Sequence, residues 1–190
     1  MKIKLLMLTA AMSCTFVTAA IATTKTEYTA EKNAASTNYK SAKANCGSLK
    51  ANAKDICMSE AKGIEKVAKA EAESNYKPSA RNTKKLAMAK ANAMYDTAKE
   101  KCDDMSGNAK DVCIKDAKAA KVRAKEDAKV AKVSADTSST RSDKMTDARK
   151  DATSEKREAD YKAAKERCDA LTGAPKDACQ NDAKVKFGMK

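Results

Sequence analysis

Beyond residue 22, apolar positions return at intervals of three and four and are filled mostly by alanine, with lysine and carboxylates between them. That is the period of an amphipathic helix. Tyr39, Ala42 and Cys46 form one such stripe, and Tyr95, Ala98 and Cys102, then Tyr161, Ala164 and Cys168, repeat it. Alanine and lysine are also strong helix formers. The pattern breaks at Tyr76-Lys77-Pro78, because the residue before proline avoids the α region and the ring removes a donor. A second break falls in "SADTSSTRSD", Ser134 to Asp143, where small hydroxyl residues cluster. Gly173-Ala174-Pro175 reads as a helix-to-helix turn, the glycine ending one helix in a left-handed cap and the proline opening the next. Asn108, after Gly107, is the expected cap of the returning helix in the middle copy. Six helices in three hairpins follow: an all-α, elongated array of antiparallel helical hairpins divided as 23–79, 80–136 and 137–190.

The stripes belong to an internal repeat, Tyr-x-x-Ala-Lys-x-x-Cys, ten residues with Lys-Asp near their end, then Cys-x-x-x-Ala-Lys. Each cysteine lies five or six positions from the centre of its turn, so an antiparallel hairpin brings the two to one level. Reflection through that centre also matches Ala42 with Ala61, Ala98 with Ala117 and Ala164 with Ala183. Small facing residues allow helix axes to approach to about 8 Å, which puts facing Cα atoms in the range a disulfide spans. The expected pairs are Cys46 with Cys57, Cys102 with Cys113, and Cys168 with Cys179. Each would stabilise by about 3 kcal/mol through the unfolded chain. That is large against a domain stability of about 5–15 kcal/mol. The rest of the expected core is alanine with scattered Ile56, Ile64, Val67, Leu86, Met88, Met94, Val112, Val122 and Val130. Residues 141–160 hold one large apolar residue, Met145, so that helix must lean on local pairs such as Glu158 with Lys162. Glu65 with Lys69, Asp111 with Lys115, and Asp182 with Lys186 share that spacing.

Composition then sets the compartment. Lys2 and Lys4 precede an uncharged run from Leu5 to Ala22, and Ala20 and Ala22 place small residues at minus three and minus one of a cleavage site. Residues 1–22 read as a secretory signal peptide. An uncleaved anchor is the rival, since eighteen uncharged residues almost span a bilayer. Cys14 as a lipoprotein cysteine is another, behind a poor lipobox. Cleavage leaves 168 residues and six cysteines, an even count that in an exported chain implies disulfides. Removing Lys2 and Lys4 from the formal charge of +13 leaves +11. With no Trp, and Leu only at 49, 86 and 171 past the signal, the chain has little oil for its charge.

Catalysis is not expected, because there is no histidine, phosphate loop, nucleophile elbow or haem motif. Neither cofactor nor metal is expected: structural zinc sites bring ligands two to four residues apart, and a ten-residue gap leaves two thiolates per hairpin. Functional content lies in the positive charge. "KPSARNTKKLAMAK" and "KDAKAAKVRAKEDAKVAK" make Lys84, Lys85, Lys118, Lys121, Arg123 and Lys125 the candidate anion-binding residues. The expected function is a non-enzymatic structural or interaction protein of the bacterial periplasm and cell envelope, engaging anionic polymer, lipid head groups or envelope proteins. A cationic periplasmic chaperone or stress protein, and a soluble metal-binding protein, are the alternatives. Nucleic acid is not an expected partner, since export removes the chain from it, and after cleavage no integral membrane protein is expected.

The repeated "YxxAKEKCDxxxGNAKDxC" phrase and the ending "AKVKFGMK" resemble a group of small exported Ala/Lys-rich proteins of Gram-negative bacteria, often labelled TolA-like or cell envelope biogenesis proteins. The similarity spans most of the chain past the signal. TolA itself joins an inner-membrane anchor, a long Ala/Lys/Glu helix and a globular C-terminal domain in an envelope-spanning system. Here a cleavable signal stands in place of the anchor and paired cysteines interrupt the helix. The resemblance implies an envelope compartment and transfers no functional residue beyond the cysteines.

Overall fold

The computed structural model describes residues 23–189; the segment read from the sequence as a signal peptide, with Cys14, Ala20 and Ala22, lies outside the described residues. Among the described residues six helices follow one another: α1 Lys25–Cys46, α2 Ala51–Tyr76, α3 Ala80–Cys102, α4 Gly107–Ser134, α5 Arg141–Cys168 and α6 Ala174–Phe187. Among the described residues there is no strand. The breaks fall where the sequence places them: α2 stops at Tyr76 before Pro78, and α4 stops at Ser134. The first helix opens with a capping box, Thr24 Oγ1 accepting from the Glu27 amide while Glu27 accepts from the Thr24 amide at 2.7 Å.

Each helix packs only on its neighbours in the chain, α1 on α2 through to α5 on α6. The result is one layer of helices with two open faces and seams between. Among the described residues only the seams are buried, and they are built mostly of small residues: nine alanines, among them Ala61, Ala91 and Ala128, together with Gly63, Cys46, Cys102 and Cys168; Asn82 and Glu126 are the buried polar side chains. The larger residues expected in the core are shared between seam and surface, and two of them stand out in solvent, Ile64 at 67% and Met94 at 73% exposure. A single layer gives them no opposing element to bury against.

The disulfides join Cys46 to Cys57, Cys102 to Cys113 and Cys168 to Cys179, each with Cα atoms 5.7 Å apart. All three lie beside the turns at one end of the array. Six residues before the second cysteine of each pair, the backbone turns left-handed: Ala51 at φ 48°, Gly107 at 55° and Gly173 at 62°. The three turns therefore share one geometry, and only the first asks a side-chain-bearing residue to adopt it. Gly173 does not end α5, which the sequence had suggested; α5 stops at Cys168, and the glycine caps the start of α6 with Pro175 in its first turn. Asp103 and Asp169, each just after a first cysteine, accept from Lys110 and Lys176 across the turn at 2.8 and 2.9 Å. The first turn has Gly47 there and lacks this clasp. At its other end the first hairpin is closed by Tyr28 stacked on Tyr76, centroids 4.6 Å apart, with the Tyr28 hydroxyl donating to Glu73 at 2.6 Å.

Neighbouring hairpins are joined by contacts that recur in register. Asn52 Nδ2 donates to the Glu100 carbonyl at 2.7 Å, and Asn108 Nδ2 to the Glu166 carbonyl at 2.9 Å. Asn108 is thus no helix cap; Ser106 holds that position. Glu60 pairs with Lys101, and the equivalent Asp116 with Arg167. The third repeat has Ala174 where the asparagine would be. Of the local pairs, Glu65–Lys69 and Glu158–Lys162 form, while Lys115 turns instead to Glu166 on α5 at 3.4 Å.

Two stability outcomes follow from the turns. Replacing Cys102 and Cys113 together by serine lowers the free energy of unfolding by about 3 kcal/mol in urea titration. Ala51→Gly relieves a left-handed conformation that costs an L-residue about 1–2 kcal/mol, offset by glycine's greater freedom when unfolded. The net gain expected is about 0.5 kcal/mol, read as a higher urea midpoint, and a lower midpoint would contradict the shared turn geometry.

Candidate functional site

The six cationic residues singled out in the sequence do not form one patch. Lys118, Lys121 and Lys125 are spaced by three and four and lie in one stripe along α4. Lys121 is central: its ammonium sits 4.1 Å from the centroid of Tyr95 on α3, a cation–π contact. Burial holds its pKa below the usual lysine value, and the charges of Lys125 and Lys118 push the same way, against Asp96. Asp96 is two residues from Met94, which turns it about 200° around α3. It pairs with Lys66 of α2 at 3.9 Å. The lysine stripe therefore lies on the side of the layer away from Met94. Lys85, nine residues before Met94 and so about half a turn from it, is on that side too and helps hold the Glu73 carboxyl below its ordinary range, after the stronger effect of the Tyr28 hydroxyl.

Lys84 and Arg123 belong elsewhere. Lys84 lines a shallow groove between α3 and α4 with Ala80, Thr83 and Ala87; Thr83 and Ala87 share the stripe of Lys90 and Met94, and Lys84 is turned about 80° from Met94. Arg123 is paired with Asp160 of α5. Next to the lysine stripe, Glu155 and Glu158 of α5 share a groove with Lys118, and Glu158 is held by Lys162. The stripe thus has Asp96 beside Lys121 on the α3 side and is bounded by glutamates toward α5.

The opposite side carries a hollow of about 660 Å³ between α2 and α3. Gly63 forms its floor: a Cβ there would stand 2.9 Å from the Ala93 Cβ, so the two helices approach as closely as a glycine allows. Ile64, Val67 and Met94 make the apolar walls; Glu60 and Glu71 edge the α2 side, Lys90 and Lys101 the α3 side. Sequence reasoning placed these apolar residues in a core and so missed the groove. The glycine mid-helix, where the other two repeats have Ala119 and Val185, was the available signal.

The thiols of all six described cysteines are engaged in disulfides. Among the described residues no group of three or more His, Cys, Asp or Glu is placed to hold a metal ion. No described helix is long and apolar enough to cross a membrane. Fold and surface together define a class, a single-layer array of disulfide-stapled helical hairpins with a lysine stripe on one face and an apolar groove on the other. No protein-family model, curated protein or solved structure matches the chain.

The turn clasps give a pH dependence. Hydrogen bonding from Lys110 and Lys176 holds the Asp103 and Asp169 carboxyls below the usual carboxylate range, the lysines' charge adding to it. A carboxyl whose folded pKa is depressed stabilises above its unfolded pKa, about 4, and loses that contribution as pH falls through the folded value. The melting temperature should hold between about pH 7 and 5 and fall below about pH 4. Asp103→Asn and Asp169→Asn together should flatten part of that fall, while amide shifts around Gly47, where no carboxylate clasps the turn, should show no matching step in NMR titration.

Proposed function

We propose that this chain is a non-enzymatic structural or interaction protein of the bacterial periplasm and cell envelope, exported by cleavage after Ala22 and engaging anionic envelope polymer or lipid head groups through its basic helix face. Three disulfides favour an oxidising compartment. The envelope role implied by the resemblance to TolA-like exported proteins points the same way.

The observation that carries the reading is the stripe of Lys118, Lys121 and Lys125, with Lys121 partly desolvated against Tyr95 and crowded by its like-charged neighbours. An anion seated there relieves that crowding and favours the protonated lysine. Binding is thereby coupled to charge, and ions screen it over about 8–10 Å at ordinary ionic strength. Exposed Ile64 and Met94 favour a second reading, the cationic chaperone, in which aggregating clients would be held with little dependence on salt. The metal-binding alternative requires reduced thiols, and here they are bonded to one another.

The test is co-sedimentation of oxidised residues 23–190 with vesicles containing anionic lipid, and with lipopolysaccharide, at low and high salt. Binding is expected at low salt and lost at about 1 M. Each lysine near an anionic surface contributes about 1 kcal/mol, so Lys118→Gln, Lys121→Gln and Lys125→Gln combined should weaken vesicle binding on the order of a hundredfold. The Lys121 Nζ resonance should also titrate below the ordinary lysine range and move up when vesicles are added. Absence of binding at low salt, or binding untouched by the triple change, removes the proposal.

A further inference from the structure

We infer that the α2/α3 groove is the seat of a two-fold interface with a second copy of this chain. Three observations lead there. First, Ile64 and Met94 stand 67% and 73% exposed over a floor made by Gly63 and Ala93, so an apolar strip lies open on a chain with little oil to spare. Second, the rim is neutral as a whole, two glutamates against two lysines, on a molecule whose charge past the signal is +11 after removing Lys2 and Lys4 from +13. Like-charged copies repel least where the local charge cancels.

Third, the charges are sorted by helix. Glu60 and Glu71 lie on α2, Lys90 and Lys101 on α3. A closed dimer places one patch on itself about a two-fold axis. An axis running across the helices would set α2 on α2 and bring glutamates to glutamates. An axis running along the groove sets each α2 on the other copy's α3, and every rim glutamate meets a lysine. The sorting continues outward. Glu31 of α1 lies fifteen residues before Cys46, as Ala72 lies fifteen after Cys57, so the two share a level. Ala72 and Lys84 are each nine residues from the facing Gly63 and Ala93, which brings Lys84 to that level as well. Glu31 edges the shallow groove beside α2 that also holds Glu71, and Lys84 edges the one beside α3. Rotation about the groove axis carries Glu31 of one copy toward Lys84 of the other. Met94 of each copy then lies over Ile64 and Val67 of its mate, and six apolar side chains are removed from water together.

The interface uses the face away from the lysine stripe, so it does not depend on the proposed anion binding, and failure of either leaves the other standing. The test is sedimentation equilibrium of the oxidised chain 23–190. A dimer is expected; Ile64→Lys and Met94→Lys, both at exposed positions, should give monomers with unchanged helical circular dichroism. Glu71→Lys should weaken the dimer roughly tenfold, and Lys90→Glu added to it should restore most of the loss. A photo-crosslinking residue at position 94 should attach to α2 of the second copy. A monomer up to about 1 mM, a dimer indifferent to the groove variants, or crosslinks from position 94 to position 94 would each overturn the inference, as would a monomer whose groove is instead protected by lipid or by an unfolded client.

Discussion

A single layer of helices has no interior, and this constraint governs the molecule. Each helix meets only the one before it and the one after it. Side chains pointing to either face meet water, and only those in the seams are covered. Close seams need small residues, so the buried set is mostly alanine and cysteine, with Gly63, Asn82 and Glu126. An alanine brings little apolar area, and burial is worth roughly 25 cal/mol per Å². Covalent bonds therefore supply what packing does not. Each disulfide sits in a seam close to its turn, where the helices are already near enough for a 5.7 Å Cα separation. Small residues permit the bond, and the bond permits so lean a seam.

In arrays of this kind stability is approximately a sum of unit terms and nearest-neighbour terms. The unit here is the stapled hairpin, and the neighbour term is carried by the asparagine that reaches the last turn of the next hairpin's first helix, together with the ion pair beside it. The units are not equal. The first has a left-handed alanine and no turn clasp, and is compensated at its far end by the Tyr28–Tyr76 stack. The third has a clasp and a left-handed glycine, but α6 is fourteen residues long against twenty-eight in α5, so half of α5 is covered only by α4.

The fold was legible because its determinants are local. Cysteine spacing about a turn fixes which helices pair, and Pro78 and the serine-rich stretch fix where hairpins end. What escaped depended on which side of a helix faces a neighbour, since helical period gives a stripe but not its partner. Asn108 looks like a cap beside Gly107, yet its amide is used by α5, 58 residues away in the chain. Gly173 looks like a helix end, yet the preceding helix has already stopped at its cysteine. Ile64 and Met94 were given to a core on hydrophobicity alone, when a one-layer fold leaves half of each helix without cover. The lysines read as one candidate patch because they are close in sequence; two residues along a helix is a turn of about 200°, enough to send Arg123 to Asp160 and Lys121 to Tyr95.

Having two open faces is also what lets so small a repeat carry two chemistries. On α3 the stripe with Lys90 and Met94 edges the groove, and Lys85 is half a turn away on the other face. Charges that meet across seams are largely paired, as Lys66 with Asp96 and Arg123 with Asp160, so they hold neighbours in register and add little to either face. The stripe of Lys118, Lys121 and Lys125 keeps its excess because α4 turns it to the face, where Asp96 of α3, itself paired with Lys66, and the α5 glutamates are the nearby carboxylates. A compact bundle of the same sequence would have to bury one of the two surfaces. The layer keeps both in water, and disulfides at the turns let it do so without drawing on either face for stability.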